Sequence, residues 1–131
     1  MSRLTVFLAR CIGLFTILLV VALWLRGPAV IESTAADGPL MLAYAIISLA
    51  IGLAMITGHN VWAGGALPVM VTLVGWLIAA KGLLLLLLSP DAMSSTIAQM
   101  RYGEHYYLYL APSLALGLYL AGAGFAAPCA E

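Results

Sequence analysis

Long apolar runs separated by short polar breaks organise this chain. The first runs from about Leu4 to Leu25 and closes at Arg26-Gly27-Pro28, and the second from about Pro39 to Ile56. The third runs from about Val61 to Leu88 and the fourth from about Tyr106 to Ala126. At about 1.5 Å per residue, each is long enough for a helix to cross a hydrocarbon core of about 30 Å. A β-barrel would instead alternate apolar and polar residues over strands of about ten residues. Leu83 to Leu88 is unbroken leucine and shows no such alternation. The pattern predicts an all-α integral membrane four-helix bundle, with residues 1–131 forming a single transmembrane domain.

The breaks differ in kind. Residues 27–38 read as a loop carrying Glu32 and Asp37. Thr57-Gly58-His59-Asn60 reads as the tight turn of a helical hairpin, because Gly and Asn tolerate turn conformations. The third run exceeds the bilayer core, so it is expected to tilt, to kink near Pro68, or to protrude. Ser89-Pro90-Asp91 has the form of a helix start, with Ser89 as cap and Pro90 in the first turn. Met93, Ile97 and Met100 then recur at helical spacing, which predicts a short interfacial helix over about 90–101.

Composition sharpens this. Of the 131 residues 65% are hydrophobic, and only 8% are charged, five basic and five acidic. The mean hydropathy is +1.14. Soluble domains carry roughly 25% charged residues, nucleic-acid binders need a basic face, and disorder needs low hydrophobicity. All three classes are excluded. A secretory signal is disfavoured because the first apolar run is too long for a signal core and Arg10 interrupts its start. Four spans put both termini and residues 57–61 on one side, and loops 26–38 and 89–105 on the other. The basic residues split two, Arg3 and Arg10, on the termini side against three, Arg26, Arg101 and a snorkelling Lys81, on the other, which decides nothing. The two arginines at the start of the first span against one at its end give cytoplasmic termini as the expected orientation. Cys11 and Cys129 fall on that side without a partner motif, and read as reduced thiols there.

Helices in lipid associate through small residues that let backbones approach. At about 100° per residue, Pro68, Thr72, Gly75, Ala79 and Gly82 fall in a sector of about 80°, one continuous small-residue seam. The second span has two opposed seams, Ala43, Ala50, Ala54 and Thr57 against Ala45, Ser48 and Gly52. The fourth also has two, Ala111, Ala115, Gly122 and Ala126 against Ser113, Gly117, Ala121 and Gly124. A shorter one, Ala9, Gly13 and Thr16, lies on the first. Helices with two small faces suit two neighbours, inside the chain or outside it.

Candidate chemistry is sparse. Lys81 is the charge set deep in a span, roughly 140° from the centre of the small-residue seam. Three readings stand open for it: snorkelling to headgroups, pairing with Glu104, Asp91 or Asp37 or with another subunit, and lining a ligand path. His59 and His105 sit in successive connections, hence on opposite faces, and cannot share one iron across a bilayer core. His105 stands among Tyr102, Tyr106, Tyr107 and Tyr109 and reads as part of an interfacial aromatic belt. Trp62 suits an interface anchor. Trp76 lies mid-span, where its indole N–H needs a partner or a helix to face. The spans hold no nucleophile–base pair, paired carboxylates or phosphate-binding loop, so the expectation is no enzyme, no cofactor and no metal.

His59-Asn60-Val61-Trp62, Thr72-Leu73-Val74-Gly75-Trp76, Lys81-Gly82 and Pro90 together resemble a group of small uncharacterised bacterial four-span membrane proteins. Their shared pattern is His-Asn-x-Trp, Thr-Leu-x-Gly-Trp and Lys-Gly. Ala9 to Leu14 also looks like their first span, so the resemblance covers about the first ninety residues. It implies a bacterial inner-membrane setting and a structural signature made of His59, Asn60, Trp62, Gly75, Trp76 and Lys81. The expected function is a non-catalytic accessory or structural subunit of a larger membrane complex, with lipids and other transmembrane subunits as partners. The alternative is a small homo-oligomeric transporter or channel with Lys81 in an anion path.

Overall fold

The computed structural model describes residues 2–89, 92, 95, 96, 99 and 104–127. They form α1 (Arg3–Arg26), α2 (Ala29–Ala36), α3 (Gly38–Gly58), α4 (Ala66–Leu87) and α5 (Tyr106–Ala126), with no strand among the described residues. Four of these helices, α1, α3, α4 and α5, are long and apolar enough to cross a membrane. The protein is an all-α, multi-pass membrane protein built as a four-helix bundle.

The helix ends follow local chemistry. Ser2 caps α1 by accepting the Thr5 N–H at 3.1 Å, and Gly27, at φ 76°, closes it through an N–H bond to Leu23 O. Asp37 Oδ1 caps α3 by accepting from Leu40 N at 3.0 Å, with Pro39 seated in the first turn where no N–H is needed. Ser89 Oγ accepts from Ala92 N at 3.3 Å, the capping contact expected of it. Ala92, Ser95, Thr96 and Gln99 are helical, and the rest of the expected 90–101 helix lies outside the described residues.

Two expectations need correction. Residues 27–38 are not simply a loop, since they hold the two-turn helix α2. The third span does not begin at Val61: residues 59–65 are non-helical and α4 starts only at Ala66. Gly64 and Gly65 sit at φ +92° and +116°, a region open to glycine but costly for other residues, and they break the helix inside an apolar run. At 22 residues α4 matches a bilayer core without excess length, and Pro68 falls in its first turn, where it causes no kink.

Packing divides the bundle into two antiparallel pairs, α1 with α5 and α3 with α4, joined through narrower contacts of α1 and α5 with α4. Glycines set the close approach. A Cβ on Gly13 would lie 2.4 Å from Ala121 N, one on Gly52 2.3 Å from Ala79 N, and one on Gly82 2.4 Å from Leu49 N. The seam read on the third span is buried at every position, Pro68, Thr72, Gly75, Ala79 and Gly82. Of the two seams on α3, Ala45, Ser48 and Gly52 are buried, while Ala43, Ala50, Ala54 and Thr57 are exposed. The same split holds on α5. Gly117, Ala121 and Gly124 are buried, and Ala111, Ala115, Gly122 and Ala126 are exposed.

One core cluster joins the pairs: Ala9, Met55, Leu67, Val71, Val74 and Leu120. A second, Val20, Tyr106 and Leu110 with Leu23, Ile31 and Leu114 packed on it, draws only on α1, α2 and α5. The pairs are therefore bonded to each other towards the start of α1.

Candidate functional site

The register of the α3·α4 pair creates an unusual chain path at that end. Gly52 faces Ala79 and Gly75 faces Met55 and Ile56, so α3 ends level with Thr72, about 9 Å along α4 from its first residue. Residues 59–65 run back beside the opening turns of α4. Non-helical backbone at such depth survives only if its polar groups are satisfied by protein. Thr72 does this for Val61, its hydroxyl donating to Val61 O and accepting from Val61 N, both at 3.0 Å.

His59 ties this segment to α1. It is 3% exposed, with Nε2 2.9 Å from Thr5 Oγ1 and Nδ1 3.2 Å from Thr72 Oγ1. Because the single Thr72 proton goes to Val61 O, Nδ1 must carry the hydrogen and donate to Thr72. In the neutral imidazole Nε2 then accepts from the Thr5 hydroxyl, and Thr5 accepts in turn from Ser2 Oγ at 2.6 Å. The result is a directed polar chain, Ser2–Thr5–His59–Thr72–Val61, linking α1, the α3–α4 connection and α4. No buried side-chain polar atom among the described residues lacks a partner.

Asn60 lies on the exposed side of the same turn. Its Oδ1 accepts from Trp62 Nε1 at 2.7 Å and, at the outer limit of a hydrogen bond, from Trp76 Nε1 at 3.5 Å. Trp76 is thus supplied with a partner from the turn rather than by burial against another span. Gly75, one residue earlier, gives Met55 room, since a Cβ there would lie 3.0 Å from Met55 Cβ. His59, Asn60, Trp62, Gly75 and Trp76 therefore gather at one end of the bundle.

Lys81 stands apart, exposed, two and a half turns beyond Thr72 along α4. Its ammonium contacts the Tyr44 hydroxyl and lies 4.6 Å from the Tyr44 ring centroid, a cation–π contact. The sequence suggested Glu104, Asp91 or Asp37 as partner; the structure supplies Tyr44 of α3, and Asp91 is outside the described residues. Tyr44 was missed because a carboxylate was sought. It and Ser48 are the only hydroxyl residues in α3 before Thr57, which was the available signal.

Arg10 does not merely interrupt the first span. Its Nε donates to Gly124 O at 2.9 Å and its guanidinium lies 5.0 Å from the Phe125 ring centroid, stitching α1 to α5. At the opposite end, Tyr106, fully buried, donates its hydroxyl to Leu23 O at 2.6 Å. His105 and Glu104 are exposed beside it. Thr5 and Leu23 are separated by roughly 27 Å of α1, so His59 and His105 lie at opposite ends, as expected. Cys11 is an exposed free thiol, and Cys129 lies outside the described residues. An apolar groove of about 350 Å³, lined by Val20, Trp24, Tyr107 and Leu114 among others, runs between α1 and α5.

Against protein-family models, curated proteins and solved structures, the chain shows no match.

Proposed function

We propose that this chain is a non-catalytic accessory subunit of a larger bacterial inner-membrane complex, with its termini in the cytoplasm. The observation that carries this reading is the pair of uncovered small-residue stripes. On both α3 and α5 one small face is consumed within the chain and the opposite one is presented outward. Outward alanines and glycine give no contact advantage against lipid tails but allow close approach by another helix. The polar groups near the His59 end bond to one another in a fixed arrangement, which suits a structural hub better than a reacting centre. The orientation is favoured by Arg3 and Arg10 in the starting half of the first span against Arg26 at its other end.

The test is native electrophoresis of gently solubilised membranes, with crosslinking. The chain should migrate in a larger assembly, and bulky replacements on the exposed stripes, Ala50→Leu and Ala115→Leu, should release it while leaving its helicity unchanged. Migration as a lone monomer with nothing crosslinked overturns the reading. A second reading, a homo-oligomeric anion channel, draws on the exposed position of Lys81, which only neighbouring copies could enclose. It requires anion flux in liposomes that is abolished by Lys81→Met.

A further inference from the structure

We infer that the two helix pairs, at the end away from His59, hold an anionic phospholipid between them, its phosphate on Lys81 and Arg26. This goes beyond the accessory-subunit reading and does not depend on it. The α3·α4 register sets the level of the cations. Gly82 lies against Leu49, so five residues further on Tyr44 stands level with Leu87, the last residue of α4. The Lys81 ammonium meets Tyr44, and so is carried towards that end as a snorkelling lysine is. Arg26 is itself the last residue of α1. Both cations thus stand towards the same membrane face.

Helix phase turns both into the space between the pairs. Ile12, Leu19 and Arg26 recur every seven residues on α1, as do Leu67, Val74 and Lys81 on α4, drifting by about 20° per step. On α3, Met55, Ile51 and Tyr44 fall within about 40° of one another. Ile12, Leu67, Val74 and Met55 all take part in the cluster that joins the pairs. Towards the other end the same flanks are open. Leu19 is 45% exposed and Ile51 50%, and Lys81 and Arg26 are exposed as well. The pairs therefore splay apart from a closed end at the cluster.

The depth of that opening selects its occupant. On α4 it runs from Ile78, packed on the cluster, to Leu87, about 14 Å of helix, and on α3 from Met55 to Tyr44, about 16 Å. That is one leaflet, half of a hydrocarbon core of about 30 Å. A partner's spanning helix needs the whole core and would meet the packed cluster halfway, whereas acyl chains need a single leaflet. Apolar walls of Leu19 and Ile51 beneath two cations fit an amphiphile with an anionic head, as basic pockets between spans do elsewhere. Among the described residues no carboxylate pairs with Lys81 or Arg26. Asp37 accepts from Leu40 N, and Glu32 and Glu104 are exposed. Asp91, outside the described residues, brings one charge against two.

The experiment is native mass spectrometry of the full chain released from nanodiscs of phosphatidylcholine and phosphatidylglycerol in equal parts. Phosphatidylglycerol should be retained about tenfold over phosphatidylcholine. Lys81→Met and Arg26→Gln should each weaken the preference, the double variant should abolish it, and Lys81→Arg should keep it. Both side chains are exposed, so helicity should not change, and circular dichroism checks this. Equal retention of the two lipids by the parent chain overturns the inference, as does an undiminished preference in the double variant. A preference that emerges only in Asp91→Asn would show Lys81 neutralised within the chain, and also overturns it. Soluble glycerophosphoglycerol, the same head without tails, should not displace the lipid; displacement would leave a bare phosphate site and overturn the lipid assignment. A photo-reactive residue in place of Ile51 should crosslink to lipid in native membranes, and capture of a polypeptide there instead would give the opening to a partner protein and refute the inference.

Discussion

The α3·α4 pair should be held together by backbone contact at Gly52, and Gly52→Ala tests that directly. The added Cβ would lie 2.3 Å from Ala79 N, 2.5 Å from Ala79 Cα and 2.7 Å from Ala79 Cβ. Ordinary carbon contacts need roughly 3.5–4.0 Å, so the helices must part by about 1 Å or more. The obstructing atoms include backbone, and no rotamer change relieves the clash. A gap of about 1 Å forfeits up to about half of each contact's dispersion energy along the seam, and overpacking of this kind costs about 1–3 kcal/mol. With the neighbouring approach at Gly82 forced open as well, about 2–3 kcal/mol is expected. The control is Gly122→Ala, where nothing lies within 4 Å of the added atom and better helix propensity is the main effect. Both variants would be unfolded by detergent titration in mixed micelles, followed by circular dichroism and tryptophan fluorescence. If Gly52→Ala is no less stable than Gly122→Ala, the close-packed α3·α4 interface described above is wrong.

Three further outcomes follow from the polar contacts. Thr72→Val keeps the shape but strips Val61 of both its hydrogen-bond partners, so it should cost about 2–4 kcal/mol, whereas Thr72→Ser should cost under about 1 kcal/mol. Equal losses in the same titration would count against the hydroxyl's role. Tyr106→Phe removes one hydrogen bond to Leu23 O and should cost about 0.5–1.5 kcal/mol, loosening the α1·α5 end without changing the His59 end. Hydrogen exchange at the two ends would separate these effects. Asn60→Ala deprives the Trp62 and Trp76 indoles of their shared acceptor, so fluorescence emission should shift, and an unchanged spectrum in that variant and in Asn60→Asp would refute the shared contact.

The four spans were legible because a bilayer imposes a length and an apolar content that few other environments demand. The small-residue seams were legible too, since 100° per residue sorts Gly75, Ala79 and Gly82 onto one side of a helix whatever its neighbours are. Which of two seams turns inward was not, because Ala50 and Ser48 are both small and only tertiary pairing separates them. Helix starts were harder. Val61 to Ala66 is apolar enough to pass for span, and only the Gly64-Gly65 doublet marked the break. The site was legible as a group of residues but not as a mechanism. His59 and Asn60 stood out as turn residues, while the bond from His59 to Thr5 spans 54 positions and depends on how α1 packs. Lys81 was conspicuous by its charge, and Tyr44 was hidden because a neutral side chain at that depth attracts no notice.

The pairing of α1 with α5 has a consequence for biogenesis. The α3·α4 pair is a local hairpin, complete as soon as α4 leaves the ribosome. The partner of α1 is α5, made about 100 residues later, a delay of roughly 5–20 s at ordinary synthesis rates. During that interval the Gly13 face of α1 has no helix of its own chain to receive it. The first span must therefore wait in the bilayer, shielded by insertion machinery or by lipid, and the α1·α5 pair closes only when α5 arrives. A chain truncated before α5 should hold a formed hairpin and an unattached first span, a state open to capture by quality-control proteases.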